Sequence, residues 1–64
     1  QGRTVDQVEL EISEQEAVLA QVELALGEAS SAADVARIND LAAQYEAARE
    51  RLDLLYQQWQ ELAS

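Results

Sequence analysis

The sequence predicts an all-α fold, a two-helix antiparallel coiled-coil hairpin, on three observations. Apolar residues recur at alternating spacings of three and four in two long runs, no proline and only two glycines occur, and one short breaker separates the runs. A repeat averaging about 3.5 residues keeps one stripe of a slightly underwound helix turned toward a partner, so each run reads as one strand of a seam. The composition agrees. Rich in Ala, Glu, Leu and Gln and free of Phe, Met and Pro, it has the profile of a long-helix segment.

The first helix is expected over about 5–26. Thr4 or Asp6 can cap it, because a short oxygen-bearing side chain accepts the unpaired N–H groups of the first turn. Asp6, Glu9 and Glu11 then oppose the positive helix end favourably. Its seam runs Val5, Val8, Ile12, Gln15, Leu19, Val22 and Leu26, with only Gln15 polar. A polar seam residue costs stability and can set register; alternatively its long amide reaches past the seam to water. Gly27 offers a left-handed residue that closes the helix without a Cβ clash. The turn is therefore expected over about 27–31.

The second helix is expected over about 32–62, since no proline or glycine follows Gly27. Ser31 with Asp34 three residues later resembles a capping box, with Ser30 as the alternative cap. The seam here is Ile38, Leu41, Tyr45, Ala48, Leu52, Leu55, Trp59 and Leu62. So short a connection forces neighbouring, antiparallel helices. Leu26 would then face Val35 and Ile38, while Val5 and Val8 would meet Leu55, Trp59 and Leu62. The heaviest apolar cluster is thus expected at the open end, where Trp59→Ala should cost about 3 kcal/mol or more. Off the seam, Leu10, Ala17 and Leu24 recur every seven residues with Val18 beside them. These are either scattered exposed apolar side chains or a candidate partner face of Leu10, Val18 and Leu24.

Function classes narrow by subtraction. Sixty-four residues allow one small domain with a thin core. Without cysteine or histidine there is no disulfide, no thiolate or imidazole metal site and no imidazole base, and without lysine no amine base either. The serines therefore lack a partner for acyl transfer, and carboxylates on a two-helix rod lack the cleft that would split their pKa values. The fragment is expected to be non-catalytic, with no cofactor of its own. A net charge of -9, with arginines only at Arg3, Arg37, Arg49 and Arg51, opposes nucleic acid and anionic lipid. No apolar run approaches a membrane span and no leader pattern is present, so a cytoplasmic piece is expected. The Gln1-Gly2 start and the lack of methionine predict a piece of a longer chain.

The end of helix two carries a more specific signal. Leu52-Asp53-Leu54-Leu55-Tyr56-Gln57-Gln58-Trp59-Gln60-Glu61-Leu62 resembles the close of the C-terminal coiled-coil domain of ABC-F proteins, the Uup-type soluble ATP-binding-cassette ATPases. There a Leu-rich stretch is followed by an aromatic, two residues, Trp, one residue and Glu-Leu; Tyr56, Trp59, Glu61 and Leu62 carry the match. The Leu24-Ala25-Leu26-Gly27 end of helix one, the short polar connection, Leu41-Ala42 and Tyr45-Glu46-Ala47 fit the same layout. The resemblance implies a parent with two ATPase domains acting on the ribosome in translation or antibiotic resistance, its ATP and magnesium sites lying upstream. It also implies partners: the parent ATPase domains, and ribosome or nucleic acid. The alternative is a generic protein–protein interaction or self-association module.

Overall fold

The computed structural model describes residues 2–64. It is an antiparallel hairpin of α1, Val5–Ser31, and α2, Val35–Ala63, forming a rod of 47 × 17 × 14 Å. The 27 and 29 helical residues, at about 1.5 Å each, account for about 40 and 44 Å of that length. α1 opens with a reciprocal cap. The Thr4 hydroxyl accepts from the Gln7 backbone N–H at 3.1 Å, and the Gln7 side-chain oxygen accepts from the Thr4 N–H at 3.1 Å.

The turn is shorter and later than the sequence predicts. α1 does not stop at Gly27; it runs through 27–31, and the connection is Ala32, Ala33 and Asp34. The reason is the seam. The heptad continues one step beyond Leu26 to Ala29, which is completely buried. Ending at Gly27 would forfeit that layer and a turn of backbone hydrogen bonds, whereas an exposed glycine within a helix costs only about 1 kcal/mol relative to alanine. A Cβ added at Gly27 would meet nothing within 4 Å, so no close approach requires glycine there.

Ala33 takes the left-handed role instead, with φ at 54°. Its N–H donates to Ser30 O at 3.1 Å and the Asp34 N–H donates to Ala29 O at 3.0 Å, the paired closure of a Schellman motif. An alanine in that conformation carries a cost of roughly 1 kcal/mol that glycine would not. Asp34, rather than Ser30 or Ser31, caps α2, its Oδ1 accepting from the Arg37 N–H at 3.2 Å. One residue thus completes the end of one helix and starts the next.

Register follows from the cross-helix contacts. Gln15 Nε2 donates, at a long 3.5 Å, to the Ala48 carbonyl, and Val22, Ala29 and Leu41 form a buried cluster with Ala25, Leu26, Ile38 and Tyr45 packed on it. The same register sets Val8 level with Leu55, the two largest fully buried side chains. In heptad terms, Val8, Gln15, Val22 and Ala29 are the d positions of α1, and Leu41, Ala48, Leu55 and Leu62 those of α2. All but Gln15 and Leu62 are buried. Small faces large along this row, Val with Leu and Ala with Gln, which lets two backbones stay close without voids. Of the a positions, Val5, Ile12, Leu19, Leu26, Ile38, Tyr45 and Trp59 are half-buried and Leu52 is buried. Two helices alone cannot cover both rows. Leu62, in the last turn of α2, is 41% exposed, and Val35 stands outside the cluster that takes in Leu26 and Ile38.

Candidate functional site

The open half of the hairpin, residues 3–16 against 48–59, carries the polar chemistry, and its two flanks differ. On one flank Glu11 gathers cations. Arg51 Nη2 lies 3.4 Å from Glu11 Oε1, and Arg3 Nη2 lies 2.5 Å from Glu11 Oε2 as an ion pair without an aligned hydrogen bond. Arg3 Nη1 also donates to Gln58 Oε1 at 2.9 Å. Arg3 and Glu11 are half-buried and Arg51 is exposed, so water still screens the pairs and they align the helices more than they stabilise them.

The opposite flank is aromatic. Trp59 Nε1 donates to Glu9 Oε2 at 2.9 Å, and the Tyr56 hydroxyl donates to Glu16 Oε2 at 2.6 Å. Between them lies an open groove of about 530 Å³ lined by Glu9, Ile12, Ser13, Tyr56, Trp59 and Gln60. Its floor is apolar because Ile12 and Trp59 are seam residues only half-covered by the partner helix. The hydrogen bond to Glu16 raises the Tyr56 pKa above its ordinary value, with desolvation and the Glu16 charge acting in the same direction. Tyr56 therefore stays a neutral donor. Among the described residues no arginine reaches Glu9 or Glu16.

The sequence-predicted residues divide by position. The seam set is brought together along the rod except for Leu62, as described above. Leu10, Val18 and Leu24 lie off the seam at 61%, 48% and 72% exposure, with Leu54 similarly exposed on α2. The residues that sequence reading missed are Glu9, Glu11, Glu16 and Arg3. Their signal was available only after setting the antiparallel register, which puts Glu11 and Arg51 at matching flank positions and Glu9 beside Trp59. Among the described residues no group of three or more acidic side chains is placed to hold a metal, and no helix is long and apolar enough to cross a membrane.

Across its whole length, residues 1–64, the chain matches the family model described as ABC transporter C-terminal domain. No curated protein and no solved structure matches it.

Proposed function

The chain therefore belongs to the ABC transporter C-terminal domain family, and from that premise we propose that it is the non-catalytic contact domain of an ABC-F type ATPase in the cytoplasm. Its parent binds ATP and magnesium upstream, and the hairpin contributes contacts to the ribosome, to nucleic acid or to the ATPase body. The observation that carries this reading is the full-length family match on a two-helix rod whose open half is cross-linked by polar contacts. Protein contacts are favoured over nucleic acid. Three of the four guanidiniums already lie against carboxylates, Arg3 and Arg51 on Glu11 and Arg49 on Asp53 at 3.7 Å, leaving no basic stripe.

The test removes the hairpin from the full-length protein and measures ATP hydrolysis and co-sedimentation with ribosomes. Retained hydrolysis with ribosome association weakened about tenfold, equivalent to about 1.4 kcal/mol, supports the reading. Association and hydrolysis both unchanged overturn it. A second reading, a self-association module, draws on the exposed Leu10 and Leu24. It requires a dimer that dissociates on Leu10→Glu with Leu24→Glu, read by sedimentation.

A further inference from the structure

The two flanks of the open half present unequal chemistry. One carboxylate, Glu11, is shared by two arginines, while Glu9 and Glu16 across the seam have aromatic N–H and O–H donors and no arginine. Each of these glutamates uses Oε2 for its aromatic partner, so Oε1 is left to accept from a further donor. The groove between them exposes the Tyr56 ring and part of Trp59 beside Ile12. Ring faces attract cations, and a carboxylate at the ring edge adds charge and hydrogen-bond direction. The whole chain, at -9, favours approach of a basic partner over an acidic one.

We propose that the groove of Glu9, Ile12, Ser13, Tyr56, Trp59 and Gln60, together with the Glu16 carboxylate held on the Tyr56 hydroxyl, docks a basic, extended polypeptide segment. Arginine or lysine side chains of that segment lie over Trp59 and Tyr56 and pair with Glu9 and Glu16. Seven residues separate the two glutamates, about 10 Å along α1. A segment in the extended polyproline II conformation rises about 3.1 Å per residue with about three residues per turn, so cations at every third position share one face and match that spacing. This deepens the contact-domain reading and rests on it: it names the chemistry of the partner.

Trp59 is the only tryptophan, so its emission reports directly on the groove. The 64-residue chain is titrated with a short peptide carrying arginine at every third position, and with the same peptide in which citrulline replaces arginine. A saturable emission shift with the arginine peptide, absent with citrulline and diminished by salt, is the expected result. Glu9→Gln with Glu16→Gln keeps an acceptor for each aromatic donor while removing both charges, and should weaken binding about tenfold or more. Circular dichroism of the same samples checks that helicity is retained; should the pair unfold, Glu16→Gln alone gives the comparison. No saturable shift, equal response to citrulline, or binding indifferent to the charge removal overturns the proposal. So does a shift produced by single-stranded RNA in place of the peptide. Peptide binding with ribosome association and ATP hydrolysis both untouched by hairpin removal overturns the contact-domain reading alone. Lost ribosome association without peptide binding overturns the groove alone.

Discussion

The turn half and the open half of this hairpin are built from the same heptad and held by different means. Near the turn, Val22, Ala29 and Leu41 pack with Ala25, Leu26, Ile38 and Tyr45, and the chain itself joins the helices through the bonds of Ala33 and Asp34. Toward the open end there is no covalent link to close the pair. There the fully buried Val8 and Leu55 are accompanied by every cross-helix polar side-chain contact among the described residues: Arg3 with Gln58 and Glu11, Arg51 with Glu11, Trp59 with Glu9, Tyr56 with Glu16 and Gln15 with Ala48. A connection of three residues keeps its neighbours at high effective concentration at little entropic cost, while the far end must find its register by specific contacts. The heaviest apolar cluster expected at the open end is therefore not found there: the buried cluster of Val22, Ala29 and Leu41 lies in the turn half, Leu62 is exposed, and the open end adds directed polar contacts to the packing of Val8 and Leu55.

The largest expected effect tests the open half. Leu55→Ala removes a side chain that is 2% exposed and should cost about 2–4 kcal/mol. In so thin a core that approaches the whole stability, and thermal unfolding followed by circular dichroism will read it. Leu41→Ala, near the turn, should cost less, because the short connection limits how far the helices separate. Equal losses would show that both ends depend on burial alone.

Next in size is a pair of opposite substitutions around the turn. Gly27→Ala should stabilise by about 0.5–1 kcal/mol, since Gly27 lies inside an exposed helix with free space around it. Ala33→Gly should also stabilise, by about 0.5–1 kcal/mol, by relieving the positive φ. A turn at Gly27 would reverse the first sign, so the melting temperatures of the two variants locate the turn independently.

Gln15→Leu sharpens the question of register. Replacing the half-buried amide opposite Ala48 with an apolar side chain should raise stability by about 1 kcal/mol, at some loss of specificity, because its 3.5 Å contact is weak. Unfolding midpoints measure the first effect. Broadened Trp59 emission would report the second.

The smallest effect is a pH dependence confined to the aromatic flank. Folding raises the Tyr56 pKa, chiefly through the bond to Glu16, so the folded chain holds that proton more tightly than the unfolded one. Its contribution is present in full below about pH 10 and is lost as pH rises through the raised folded value. Tyr56→Phe should remove that alkaline slope and lower the melting temperature slightly at neutral pH, where the contribution is present.

Periodicity alone determined the helices, their antiparallel pairing and most of the seam, because a heptad stripe in two runs joined by a short link has few other ways to bury itself. The resemblance carried by Tyr56, Trp59, Glu61 and Leu62 pointed to the family that the whole chain matches. The position of the turn was not legible, because Gly27 is a strong local stop signal and Ala33 none at all. Burial of Ala29 outweighs that local preference, and it exists only once α2 lies against α1. The polar flanks were hidden for the same reason. Glu9 and Trp59, or Glu11 and Arg51, are 50 and 40 residues apart in the chain and become neighbours only when the register is set. Side chains on one helix follow from a period of about 3.6 residues; contacts between two helices depend on their relative stagger, which tertiary packing decides.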